Sequence, residues 1–213
     1  MSGPVHLAAE RRRILAAALP HVPFDGWSER LLADACREAG LPADMAARAF
    51  PRGLGELVDF YLEEADRAMV EAVEQAGDAD GKLTARVKLA IRLRLERAAA
   101  DKETVRRTLA FLSLPQNAPL ALSSLYRTVD AIWYAVGDTA TDFSFYTKRL
   151  SLAAIYSATL LYWLDDRSEG ASQTMAFLDR RIADLMRIGR LRGRLRRAAG
   201  RLPDPFGLFR NRA

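Results

Sequence analysis

The stretch SERLLADACREAGLPADMAARAFPRGLGELVDFY, residues 28–61, decides the fold. Ser28 is a good N-cap for a helix from Glu29 to Ala39. Gly40 supplies its stop, and Pro42 is placed to start a third helix over Ala43 to Ala49, ended by Phe50-Pro51. From Leu54 onward, apolar residues at Leu54, Leu57, Val58, Tyr61, Leu62 and Ala65 predict one long amphipathic helix reaching Gln75. Upstream, Leu7 to Leu19 forms a helix with Ile14, Leu15, Ala18 and Leu19 on one face, stopped by Pro20 and Pro23. PFDGW, residues 23–27, reads as a turn. Two helices, a short third and then a long one is a helix-turn-helix layout.

Composition extends the helical reading to the whole chain. Ala and Leu supply 37 and 30 of the 213 residues, against 15 Val and Ile together. Ala and Leu favour helices and β-branched residues favour strands, so the chain is expected to be all-α. Further helices are expected over Lys82–Ala100, Glu103–Leu114, Leu120–Val136 and Asp142–Leu164, with another starting at Ser172. One cysteine, Cys36, excludes an internal disulfide framework, and with only His6 and His21 it cannot build a zinc cluster. The uncharged, strongly apolar stretch Leu150 to Leu164 is shorter than the ~20 residues a membrane-spanning helix needs. The N-terminus has neither the pattern of a signal peptide nor that of a transit peptide. With abundant Ala and Arg, this favours a bacterial protein in the cytoplasm.

Charge divides the chain. The net is +5 overall, but −5 for residues 1–76, +1 for 77–179 and +9 for 180–213. These segments are expected to be a helix-turn-helix bundle, a larger helical domain and a basic tail. ILAAAL, ERLLADACREAGL and ARAFP occupy the places of helix one, helix two and the recognition-helix end in the tetracycline-repressor family, which this arrangement resembles. The resemblance implies an N-terminal DNA-binding bundle and a C-terminal helical domain that binds a ligand and dimerises. The charge opposes DNA. Phosphate contacts from Lys and Arg supply most of such binding, yet PADMAARAF offers only Arg48, with Asp44 of the wrong sign beside it. The expectation is a degenerate helix-turn-helix with no nucleic-acid partner. A repressor-type regulator with a hydrophobic effector is the alternative.

The most distinctive stretch is YRTVDAIWYAVGDTATDFSFYTKR, residues 126–149. It holds carboxylates and tyrosines, but no nucleophile beside a histidine, no phosphate loop and no metal spacing, so no catalytic residue and no metal ligand is assigned. Asp130, Trp133 and Tyr134 stand at i, i+3 and i+4 on a helix, with Arg127 one turn earlier beside Asp130. An exposed Trp-Tyr pair rimmed by Asp and Arg has the composition of a protein-interface hot spot. Burial of both aromatics in the core is the competing reading. The next helix is apolar nearly all round, so it is either buried on every side or lines a cavity or dimer face. An apolar chamber is expected here, lined by Phe111, Leu122, Leu125, Ile155, Thr159, Trp163 and Phe177.

ALPHVPFDGW, AFPRG followed by ELVDFY, TVDAIWYAVGDTATDF with YTKR, and IYSATLLYWL with FLDRRI together resemble the Coq-nine family of ubiquinone-biosynthesis accessory proteins. The similarity runs from about Ile14 to Met186. It implies a repressor-like fold without DNA regulation, a homodimer, and a C-terminal domain that binds lipid, including isoprenoid quinone precursors. It also implies partnership with the di-iron demethoxyubiquinone hydroxylase, through a surface whose Asp, Trp and Tyr match Asp130, Trp133 and Tyr134. Beyond such a bound lipid, no cofactor is expected.

In the tail, Leu178, Ile182, Leu185, Ile188, Leu191 and Leu195 keep to one side of a helix, with arginines on the others. A basic amphipathic helix lies in the membrane interface, its apolar face in acyl chains. Arg187, Ile188, Arg190, Leu191, Arg194, Leu195 and Arg197 are the expected contacts with an anionic surface, which would attach the protein peripherally to the inner membrane. A solvated arginine-rich tail or an RNA-binding arm is the competing reading.

Overall fold

The computed structural model describes residues 7–77, 82–137 and 144–199, except for the side chains of 144–146, 186 and 188–199. Its regular elements among these residues are all helical. They are α1 (Ala8–Ala18), α2 (Val22–Asp25), α3 (Glu29–Glu38), α4 (Met45–Ala49), α5 (Leu54–Ala76), α6 (Leu83–Arg97), α7 (Lys102–Leu112), α8 (Ala118–Ala135), α9 (Ser144–Asp165) and α10 (Ser172–Ala199).

Local chemistry sets the boundaries. The Ser28 hydroxyl accepts the Leu31 N–H at 3.1 Å, capping α3. Gly40, at φ +66°, ends that helix in the left-handed region. Gly53, at φ +67°, opens α5, and Glu29 Oε1 accepts the Leu54 N–H there at 3.1 Å. A Cβ on Gly53 would stand 3.0 Å from that same oxygen, so both the conformation and the close approach call for glycine. The expected turn at 23–27 differs in detail. Residues 22–25 close one helical turn, because the Asp25 and Gly26 N–H groups bond back to the His21 and Val22 carbonyls.

Two apolar cores form. The first joins α1, α3, α4 and the start of α5 through Ile14, Leu15, Leu31, Leu32, Phe50 and Leu57. Arg11 crosses it, its guanidinium 4.9 Å from the Phe50 ring centre and 4.6 Å from Phe60, and 3.4 Å from the Glu56 carboxylate. The second joins the rest of α5 to α6, α8, α9 and α10 through Met69, Ile91, Ile132, Leu152, Trp163 and Leu178. Helix α5 serves both. Trp27 Nε1 donates to the Thr108 hydroxyl at 2.9 Å, tying the N-terminal bundle to α7. In α4, Met45 and Ala49 face inward, and Arg48 lies 3.7 Å from its own i−4 carboxylate, Asp44. The single cation this segment offers thus stands beside the acid at the start of its own helix.

Candidate functional site

Helices α5, α6, α7 and α9, with the end of α1, line a partly open chamber of about 340 Å³. A second, of about 270 Å³, opens between α7, α8 and α9. The two share Leu62, Arg94, Leu109, Leu112, Tyr156 and Leu160 as walls, so they adjoin along a waist formed by these side chains. Glu64, Arg97 and Asp101 add charge to the first, with Arg97 and Asp101 exposed, while its depth is leucine, valine and alanine. Apolar walls with a few placed polar groups are the usual make-up of a small-molecule site, and a site of about 300–1,000 Å³ can bury most of such a ligand.

At the waist the polar groups form one network. Arg94, only 9% exposed in its side chain, has Nη2 3.1 Å from Asp66 Oδ1, and its Nε donates to Tyr156 Oη at 3.3 Å. The Thr128 hydroxyl donates to Asp66 at 2.9 Å, and Arg127 Nε reaches the same carboxylate at 3.5 Å. Arg127 Nη1 also pairs with Asp59 Oδ1 at 2.6 Å. Two guanidinium groups thus face two carboxylates. Burial raises the Asp66 carboxyl above its ordinary value, against the opposing pull of Arg94, Thr128 and Arg127. Burial pushes Arg94 down, but Tyr156 and Asp66 more than compensate, so it stays charged. Burial also pushes the Tyr61 phenol up to about 12, which leaves it a neutral O–H at physiological pH.

Several expected site residues lie elsewhere. Of the seven expected to line the chamber, only Leu125 does. Ile155, Thr159 and Trp163 are packed into the protein, with the Thr159 hydroxyl donating to the Ile155 carbonyl at 2.7 Å. Phe111 packs on the N-terminal core, Leu122 is 70% exposed, and Phe177 stacks on Tyr162 at 4.7 Å with Arg181 over its ring. The faces of α9 that meet the chamber carry Tyr156, Ser157, Leu160 and Leu161 instead. An all-round apolar helix offers no periodic signal to say which face looks into empty space.

The α8 surface also divides. Tyr134 is 74% exposed, but Trp133 is 8% exposed and packs in the second core with Ile132 and Val136. The two residues are successive, about 100° apart around the helix, and the packing of α8 turns Trp133 inward and leaves Tyr134 in solvent. The Arg127 guanidinium turns to α5 and pairs with Asp59 and Asp66. The cation beside Asp130 is Arg149 of α9, whose Nε donates to Asp130 Oδ1 at 2.9 Å. Lys148 Nζ stands 5.7 Å from the Trp133 ring centre. In the tail, Arg187 is exposed, while the side chains of Ile188, Arg190, Leu191, Arg194, Leu195 and Arg197 lie outside the described residues. So do the backbone and side chains of Asp138 and Asp142. The backbone of α10 is helical through Ala199.

Arg94, Asp66, Tyr61 and Tyr156 are the residues that sequence reasoning missed. A signal was present, because Asp66 falls within the apolar stripe Leu62, Met69 and Val73, and Arg94 within Val87, Ile91 and Ala98. Charge at an apolar register marks a buried ion.

Among the described residues no helix is long and apolar enough to cross a membrane, and no cluster of His, Cys, Asp and Glu could hold a metal ion. Residues 118–189 match the family model described as COQ9. The chain is 36% identical over 185 residues to the ubiquinone biosynthesis protein COQ9, mitochondrial, of Drosophila melanogaster, which covers 84% of this chain and 56% of that protein. It is 34% identical over 186 residues to the Homo sapiens protein of the same description, covering 84% of this chain and 58% of the relative. The chain therefore spans less than two thirds of these relatives' length. A TetR transcriptional regulator from Nitrosomonas europaea superposes with a TM-score of 0.66 at 24% identity, over 82% of this chain and 97% of that one. The fold is all-α and TetR-like.

Proposed function

The chain belongs to the COQ9 family, and on that premise we propose that it is a lipid-binding accessory protein of ubiquinone biosynthesis. In this reading the chamber between α5 and α9 holds an isoprenoid quinone precursor. A homodimer presents that precursor, at the membrane, to the di-iron demethoxyubiquinone hydroxylase. The iron would be the partner's, and this chain would act as a carrier rather than a catalyst. The observation that carries the reading is the pair of adjoining apolar cavities, 340 and 270 Å³, with a single polar waist. Burying apolar surface yields about 25 cal/mol per Å², so a long isoprenoid tail supplies its own affinity.

The arginines of α10 would bring the chamber to the bilayer, each contributing about 1 kcal/mol near an anionic surface. A regulator reading asks the helix-turn-helix to hold DNA. Its α4 cation lies beside Asp44, and the segment's net charge of −5 repels phosphate.

The test is to recover the full chain from native membranes and identify its bound lipids by mass spectrometry. An isoprenoid quinone or its precursor is expected in stoichiometric amount. A version with Arg190, Arg194 and Arg197 changed to Glu should remain in the soluble fraction and carry far less. Lipid-free protein, or equal membrane recovery of the charge-reversed chain, would overturn the corresponding half of the reading.

The hydroxylase contact is expected to centre on exposed Tyr134 with Asp130 beside it, while Trp133 supports them from beneath. Tyr134→Lys should fold with an unchanged melting temperature and lose at least about 10-fold in affinity for the hydroxylase, the range of a hot-spot residue. Unchanged binding would remove this face from the interface.

A further inference from the structure

The chamber would be simpler without its waist. Leucines at Arg94 and Asp66 would close the same space without taking charge out of water, and a buried ion pair is often no better for stability than well-packed apolar residues. The pair is also not placed at random. Arg94 lines both cavities where they join, and Tyr156, which accepts its Nε–H, lines both as well. Because the Tyr156 oxygen accepts from Arg94, its own hydroxyl proton remains to be donated to another acceptor. Tyr61 lines the first cavity together with Arg94 and Tyr156. Three side chains that can donate hydrogen bonds therefore line the first cavity, two of them at its junction with the second, among walls that are mostly apolar.

We propose that this waist is a headgroup subsite: Arg94, Tyr156 and Tyr61 receive a neutral oxygen acceptor, a ring carbonyl of the quinone type, carried inward on an apolar tail. This rests on the lipid-chamber reading above. Charge selects the class of headgroup. The two guanidinium groups, Arg94 and Arg127, are already matched by Asp66 and Asp59 at 3.1 and 2.6 Å. A phosphate would add uncompensated negative charge to an apolar enclosure, which is costly. A carbonyl oxygen adds none and accepts the available O–H and N–H groups. The headgroup thus sits at the waist and the tail runs into the second cavity along Ala121, Leu125 and Leu161, so that delivery requires the ligand to back out. A site built to hydrogen-bond such an oxygen discriminates against an analogue without it, since its donors are then left unpaired.

The experiment measures binding to the full chain by calorimetry with three probes: a benzoquinone carrying a decyl tail, decylbenzene, and decyl phosphate. The native chain is expected to bind the quinone about 10-fold more tightly than decylbenzene, the effect of one good buried hydrogen bond. Tyr156→Phe should abolish that preference while leaving decylbenzene binding unchanged, and it leaves the Arg94–Asp66 ion pair intact. Tyr61→Phe should reduce the preference in part. Retention of the full preference in both tyrosine variants would overturn the headgroup assignment and leave the chamber standing. So would equal affinity of the native chain for quinone and decylbenzene, or decyl phosphate binding more tightly than the quinone. If none of the three probes binds, the chamber reading falls and the headgroup assignment with it.

Discussion

Replacing Asp66 with alanine is expected to cost about 3–5 kcal/mol, the penalty for removing one partner of a buried ion pair. Asp66 is 4% exposed and has Arg94, Arg127 and Thr128 around its carboxylate. Its loss strands the charge of Arg94 in the second core and leaves the Thr128 hydroxyl without its acceptor. The free energy comes from that stranded charge more than from the pair itself. The double change Asp66→Leu with Arg94→Met should therefore recover most of the loss, since apolar residues of similar volume often match or exceed a buried pair. Urea unfolding of the two single variants and the double variant measures the coupling directly. A single-variant loss below about 1 kcal/mol would mean that water reaches the network. The same double variant should lose the quinone preference while folding well, which separates stability from recognition at this waist.

The second large effect is expected at Trp163. Trp163→Ala should cost about 3–5 kcal/mol, the range for truncating a large buried aromatic. The ring is 1% exposed, and Lys102 Nζ stands 4.8 Å from its centre. The same ammonium donates to the Trp163 and Asp166 carbonyls at 2.9 and 2.7 Å, closing the last turn of α9. A cavity left by the indole would thus loosen both the core and that helix end. Trp163→Phe should keep roughly half of the stability, because the ring face beneath Lys102 persists. Thermal melts of both variants check this. The affinity of the folded Phe variant for decylbenzene should equal that of the native chain, because neither chamber uses Trp163 as a wall. A selective loss of that affinity would return Trp163 to the ligand site.

Trp163 also shows where sequence reading reached its limit. Its helix was legible to within a residue or two, because its apolar run is bounded by Asp165-Asp166. What the helix packs against was not legible, since an apolar side chain gives one signal for a core, a cavity wall and a dimer face. Trp133 and Tyr134 pose the same problem in miniature. Both are aromatic, and only the packing of α8 on α5 and α9 sends one inward and leaves the other in water. Arg127 was assigned to a neighbour one turn away, whereas its long side chain reaches α5, whose sequence lies more than fifty residues earlier.

The amino-acid sequence by itself determined the helices and their ends, through apolar spacing, the Ser28 cap and the glycines at Gly40 and Gly53. Hydrogen bonding within a helix and its caps is local, so a window of a few residues suffices to specify it. Sequence also placed the acidic bundle at one end and the arginines at the other, since charge is counted rather than folded. Only the tertiary structure brought Arg94 of α6, Asp66 of α5, Thr128 of α8 and Tyr156 of α9 to one point. A chamber is space left between helices, so no single helix encodes it. Its polar waist exists because packed helices bring together charges whose apolar register marks burial but does not say which partners they meet.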